Sequence, residues 1–270
     1  MIPIILVAGG IVAGTYGALI GAGGGFLLVP LLLFLYPEQS PAIIVATSLV
    51  AVLFSGVSGT IAYHRLRRID YRMGIALMLA TVPGALLGPR LVTYISRDVF
   101  QAVVGSILIL VAVYIMVRSR RTGPHSTPKR PSANTRTLVD RQGTGFTYAV
   151  RPVAGSFVGF ATGFVSSMLG VGGGILQVPL LVYALGIPIQ VATATSTFII
   201  VGTALMGLAS HYFVGNLEAE WWVMATLVLG VVAGAQIGAR LAIRFKGTRL
   251  AQLLAVGVAV VGARLLAGAL

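Results

Sequence analysis

The sequence predicts an all-α polytopic membrane protein built from two inverted-topology repeats of about five hydrophobic segments each. Three observations carry that reading. Apolar stretches long enough to cross a bilayer recur along nearly the whole chain, three landmarks occur twice in the same order, and the charge of equivalent loops reverses between the two copies. Of 270 residues, 57% are hydrophobic and 9% charged, far below the quarter of charged residues usual in soluble domains. Mean hydropathy is +0.97.

Taken in order, the first segment spans residues 2–20. It has no basic residue before its apolar run and no small-residue cleavage site, so it reads as a retained helix rather than a secretory signal. The second, 24–36, is too short to span comfortably, because a helix needs about 20 apolar residues to cross. It opens on the glycines of "GAGGGFLLVPLL" (residues 21–32), contains Pro30 and ends at "YPEQSP". Segments 42–63, 73–95 and 99–117 complete the first half. The second half offers 152–169, then a short glycine-led segment at 173–186 containing Pro179, then 190–213, 221–243 and 250–269. The organisation is therefore repeat 1 over 1–118, a basic linker over 119–150, and repeat 2 over 151–270.

Self-comparison supports the duplication. "GAGGGFLLVPLL" matches "GVGGGILQVPLL" (170–181), "ATS" at 46–48 matches "ATS" at 194–196, and "GALLGPRL" from Gly84 matches "GAQIGARL" from Gly234. Loop charge then orients the halves. "HRLRRIDYR" carries Arg65, Arg67, Arg68 and Arg72, whereas its counterpart "FVGNLEAEWW" carries Glu218 and Glu220. One helix later the bias reverses: "ISRD" has Arg97 beside Asp98, and "IRFKGTR" has Arg244, Lys246 and Arg249. Basic loops facing the cytoplasm would place fifteen of the nineteen Lys and Arg on one side, the linker included.

The net charge of +13 does not point to nucleic acid, because eight of the basic residues lie in or beside 118–151. That stretch has the Pro, Ser, Thr and Gly content of a disordered linker and reads as a topology-setting cytoplasmic loop. There is no cysteine, hence no disulfide and no thiolate chemistry. The six acidic residues all fall in loops or at membrane boundaries. A buried carboxylate relay for cations and a two-carboxylate hydrolase are therefore disfavoured. Three histidines, His64, His125 and His211, make a transition-metal site improbable. No cofactor is implied, and no enzymatic constellation is visible.

What the membrane segments do offer is hydrogen-bond donors. Consecutive glycines at Gly23, Gly24 and Gly25, and again at Gly172, Gly173 and Gly174, can turn successive N–H groups toward one point, a nest for an oxyanion. The helix that follows each presents its positive end to the same place. The competing explanation is that small residues let transmembrane helices approach closely. Thr47 and Ser48 recur as Thr195 and Ser196, and can either cap a helix or meet a ligand. Gln177, where the first half has Leu28, and Gln236 are uncharged donors in apolar runs, open to helix-packing roles as well. Arg240 snorkels readily toward the basic loops, whereas Arg90 lies near the opposite end and is the better candidate for an anion. His64 and His211, beside Tyr63 and Tyr212, read as interfacial anchors.

The doubled "G.GGG.L.VPLL" followed by "ATS", with a basic central loop, resembles the sulfite exporter TauE/SafE family, also called TSUP permeases. The resemblance covers essentially the whole chain apart from 118–151. It implies transport of sulfite, short organosulfonates or related small anions, usually outward across the bacterial inner membrane. On that resemblance the motif residues are Gly21, Gly23, Gly24, Gly25, Pro30, Thr47 and Ser48, with Gly170, Gly172, Gly173, Gly174, Pro179, Thr195 and Ser196. The expected activity is a secondary transporter of small sulfur-containing anions working by alternating access, with an anion channel or a permease for other small organic acids as the alternative. Its expected partners are the small anionic substrate and the lipid bilayer, and the substrate-binding set adds Arg90 and Gln177 to the glycines and hydroxyls.

Overall fold

The computed structural model describes residues 2–121, 135–149, 152–215, 220–242, 244 and 247–269; Glu218, Lys246, His125 and part of the linker lie outside the described residues. The first half contains α1 (Ile2–Ile20), α2 (Gly25–Leu35), α3 (Pro41–Arg65), α4 (Tyr71–Val92) and α5 (Arg97–Arg121). A hairpin of β1 (Thr135–Val139) and β2 (Gly145–Ala149) follows. The second half contains α6 (Pro152–Leu169), α7 (Gly174–Tyr183), α8 (Ile189–Val214), α9 (Trp221–Leu241) and α10 (Gly247–Ala269). Each expected hydrophobic segment forms one helix, and α1, α3, α4, α5, α8 and α9 are long and apolar enough to cross a membrane.

The short helices have local causes. α2 has 11 residues and α7 has 10. At 1.5 Å per residue, each covers about half of a hydrocarbon core roughly 30 Å thick. α2 stops at Leu35 because Pro37 disfavours helical backbone at the residue before it, and Tyr36 turns to φ −126°. α3 then restarts with Ser40 as its N-cap, accepting from the Ile43 N–H, and with Pro41 in the first turn.

The two halves interlock reciprocally. α1 packs along α9, and α6 packs along α4, so each half's first helix lies on the other half's fourth. Glycines make these seams. Gly230 sits against Val7 and Gly10, Gly234 against Ile11 and Thr15, and Gly238 against Thr15 and Leu19, so α1 and α9 run parallel at backbone contact. Gly84 and Gly88 meet Phe160, Phe164 and Ser167 in the matching pair. The third landmark is thus a packing motif of the small-xxx-small kind. Gln236 ties α9 to α3 instead, donating to Ser58 O at 2.7 Å. The equivalent helices α3 and α8 run antiparallel, with Gly207 against Leu49, Gly56 against Ile200 and Gly59 against Thr197.

The linker differs from its expected disorder, because residues 135–149 form a docked hairpin. Alternating β-formers in "TRTLV" and "GFTYA" pair antiparallel, Thr135 opposite Ala149. The turn closes on Asp140, whose Oδ1 accepts from Gln142 N at 2.8 Å and Thr144 N at 2.9 Å. The hairpin grips the α3–α4 loop. Arg68 pairs with Asp140 at 2.8 Å, with side chains only 8% and 1% exposed. Arg136 pairs with Asp70 at 3.0 Å, and the Tyr148 hydroxyl donates to Asp70 Oδ2 at 2.8 Å. Asp70 also caps α4 through Met73 N. Composition hid this fold because the docking uses side chains 66 to 78 residues apart.

Burial alone would raise the Asp140 pKa, but hydrogen bonds from Arg68 and from the amides of Thr144 and Gln142 outweigh it and hold it below the ordinary 3.8. A depressed folded-state pKa gives stability that is complete above the unfolded value and lost as pH falls through the folded one. Hairpin docking is therefore expected to persist from neutral pH to about 3.8 and to weaken below it. Amide exchange of 135–149, corrected for intrinsic rates, checks this; uniform protection down to pH 2 would contradict it.

Candidate functional site

The two glycine motifs, one from each half, touch each other. After α1 the chain folds back on itself, Ala22 N bonding Gly17 O at 2.7 Å. Residues 21–24 lead α2 back along α1, with Gly24 beside Ala13 and Leu31 beside Gly9. Gly24 is the N-cap of α2 at φ 87°, and Gly173 precedes α7 at φ 67°. Such left-handed backbone costs an L-residue roughly 1–2 kcal/mol. A side chain on Gly25 would collide with the Gly170 carbonyl oxygen, and one on Gly174 with the Gly21 carbonyl oxygen. The two loops are thus in backbone contact, at the level of Val52 in α3 and Ile200 in α8.

Two serines clasp this contact crosswise. Ser48 Oγ of the first half donates to Gly170 O at 2.8 Å, and Ser196 Oγ of the second donates to Gly21 O at 2.9 Å. With their carbonyls engaged, the loops keep their amides free. The N–H groups of Gly23, Gly24, Gly25 and Phe26, and of Gly172, Gly173 and Ile175, have no acceptor among the described residues. All seven residues are buried. A buried donor without an acceptor costs about 1–3 kcal/mol, so these amides form a dense array of unmet donors.

Gln177 adds to the array. Its side chain is 1% exposed, Oε1 faces Ser196 Oγ at 3.4 Å, and Nε2 has no partner. Ser166 Oγ is a further buried hydroxyl without a partner, beside Gly173. Sequence gave no signal for Ser166, which lies on α6 outside every repeated landmark. A cavity of about 10 Å³ adjoins Ser166, Gly173 and Ile175, room for about one water.

The remaining expected residues divide. Thr47 bonds its own helix at Ile43 O and lines a cavity of about 60 Å³ with Tyr36, Gln39 and Glu220. Thr195 Oγ1 accepts from Asp70 N at 3.1 Å, which ties α8 to the hairpin dock. Arg90 is exposed on α4, and its guanidinium has no partner among the described residues. The structure therefore gathers Gly23–Gly25, Ser48, Gly172–Gly174, Gln177 and Ser196 at one place, and sets Thr47, Thr195 and Arg90 apart from it. The interfacial role expected for His211 is corrected. It is fully buried, with Nε2 3.4 Å from Ser167 O, because α8 packs its last turns against α4 and α6. Tyr63 is likewise buried, donating to Ala18 O at 2.7 Å.

Comparison with known proteins agrees on one kind of molecule. The profile of the family described as Sulfite exporter TauE/SafE matches residues 6–265. The chain is 30% identical over 269 residues to the probable membrane transporter protein YunE of Bacillus subtilis, covering 97% of each chain. It is 28% identical to a probable membrane transporter protein of Xylella fastidiosa, over 90% of this chain and 85% of that one. A probable membrane transporter protein of Methanocaldococcus jannaschii is 29% identical over 81% of this chain and 74% of its own. No solved structure matches.

Proposed function

The chain belongs to the sulfite exporter TauE/SafE family, and from that premise we propose that it moves small sulfur-containing oxyanions, such as sulfite or short organosulfonates, by alternating access. The observation that carries the proposal is the array of buried, unpaired donors where the glycine loops meet: seven backbone N–H groups and Gln177 Nε2. An oxyanion satisfies several such donors at once, and hydrogen bonds to a charged group contribute about 1.5–3 kcal/mol each. No full positive charge then has to be buried in lipid, where it is costly. Short glycine-led helices at matching positions of inverted repeats are the arrangement expected of a transporter's substrate site.

In this reading the repeats are inverted and the hairpin end faces the cytoplasm. The antiparallel course of the equivalent helices α3 and α8 supports inversion, since repeats related by an axis along the membrane normal would place equivalents parallel. Arg65, Arg67, Arg68, Arg72, Arg136 and Arg141 gather at the hairpin end, as the positive-inside rule requires. Rocking of one set of helices against the other would part the loops toward either side in turn. A membrane potential negative inside favours anion export by about 2.3 kcal/mol per charge per 100 mV. Reporters fused after residue 130 and residue 217 are expected to read cytoplasmic and periplasmic respectively; the same readout from both refutes inversion.

Gln177→Leu tests the site, because it gives the second half the residue the first half already has at Leu28. Losing one donor to an anion is expected to raise the KM for sulfite flux into proteoliposomes about tenfold or more, with insertion and thermal midpoint little changed. Unaltered KM and rate would remove Gln177 from the site. A flux that fails to saturate would favour a channel.

A further inference from the structure

The far end of the bundle from the hairpin holds a second feature. A groove of about 470 Å³ opens between the C-terminal turns of α2, the first turns of α5 and the last turns of α10. Its polar groups are Arg97, Gln101 and Arg264, and Pro30, Phe34 and Leu265 form much of its apolar wall. Arg97 donates to the Leu33 and Pro37 carbonyls, using two of the five N–H donors of a guanidinium. The Arg264 guanidinium and the Gln101 amide have no hydrogen-bond or ion-pair partner among the described residues, and no carboxylate lines the groove. Arg264 is the only charged residue between 250 and 270.

We propose that this groove binds the phosphodiester headgroup of an anionic phospholipid, with an acyl chain lying along the α2 side. Charge complementarity is one reason: two arginines and a glutamine line one groove that no carboxylate lines, and guanidinium pairs well with phosphate oxygens. Shape is the other. A volume of 470 Å³ is far more than a small free oxyanion fills, and Phe34 stands 73% exposed beside it. An arginine on the lipid-facing side of an apolar helix is costly unless its charge is met, and a headgroup at the helix end meets it. The site would pin α2, which carries the first glycine loop, to α5 and α10. The inference rests on the chain being a membrane protein and not on the identity of its transported anion.

Purified protein in detergent tests it by native mass spectrometry and thermal unfolding with added phosphatidylglycerol, phosphatidylcholine or inorganic phosphate. Phosphatidylglycerol is expected to stay bound and raise the unfolding midpoint, with its apparent affinity about tenfold weaker in Arg264→Leu and partly restored in Arg264→Lys. Arg264 is exposed, so leucine there leaves the helix packing in place; Gln101→Leu is a second variant expected to weaken retention. Equal retention of the two lipids, unchanged retention in Arg264→Leu, or an equal midpoint rise with inorganic phosphate would overturn the proposal, the last by making this a free-oxyanion site.

Discussion

Gly173→Ala is expected to lower sulfite flux in proteoliposomes about a hundredfold or more while the protein still inserts and purifies as wild type. Gly173 holds φ 67°, and a methyl there would stand 3.1 Å from Ser166 Cβ and Oγ, a tight contact relieved by a shift of a few tenths of an ångström, whereas no backbone atom lies closer than 3.6 Å. The folding cost is thus mainly backbone strain, about 1–2 kcal/mol. The functional cost is expected to be larger, since relaxing toward negative φ reorients the unpaired Gly173 and Ile175 amides on which the proposed site depends. Two donors at about 1.5–3 kcal/mol each correspond to a hundredfold or greater loss. Gly174→Ala is the contrasting case. Its methyl meets the Gly21 carbonyl oxygen, which is backbone and cannot step aside, so poor insertion or a collapsed thermal midpoint is expected instead. Wild-type flux in Gly173→Ala would leave close helix packing as the whole explanation of the second glycine run.

Asp70→Ala is expected to release the linker hairpin and destabilise the protein by about 2–4 kcal/mol. One carboxylate caps α4 at Met73 N, pairs with Arg136 and accepts from the Tyr148 hydroxyl. Loss of a cap costs about 1 kcal/mol, and a buried hydroxyl left without an acceptor about 1–3 more. Tyr148 is 2% exposed, and burial together with the neighbouring Asp70 carboxylate raises its pKa, so its proton stays on as a donor. Trypsin should then cut faster after Arg136, whose side chain is paired with Asp70 and whose backbone lies in the paired strand β1 in the docked state. Asp70→Asn keeps an oxygen for the Met73 cap but places an NH2 donor where the Tyr148 hydroxyl met Oδ2, so an intermediate midpoint is expected. A midpoint and cleavage pattern identical to wild type in Asp70→Ala would mean that the hairpin docks by other contacts.

The ten helices were legible because their signals are local. Hydrophobic length sets the spans, Pro37 stops α2, and Ser40 with Pro41 restarts the chain. The duplicated glycines were legible as special, and so was the difference between Leu28 and Gln177. Their division of labour was not. Thr47–Ser48 and Thr195–Ser196 are the same pair within a repeated Ala-Thr-Ser triplet, yet the serines clasp the opposite loops while Thr47 bonds its own helix and Thr195 holds the Asp70 amide. A one-residue step along a helix rotates a side chain by about 100°, and only the crossing partner decides which of two neighbouring hydroxyls finds a carbonyl. The linker shows the same limit, since Arg68 and Asp70 sit before its dock by 72 and 66 residues.

By itself, the sequence determined that this chain is a duplicated bundle of apolar helices with two glycine-led half-helices and a basic side, because span length, repetition and loop charge are additive properties of short segments. The tertiary structure alone decided that the two glycine loops touch, that the third landmark is a packing seam, and that a buried glutamine amide is left unmet beside the loops. Those outcomes depend on how helices far apart in the chain cross, and the free energy of such a crossing belongs to the pair of surfaces rather than to either segment.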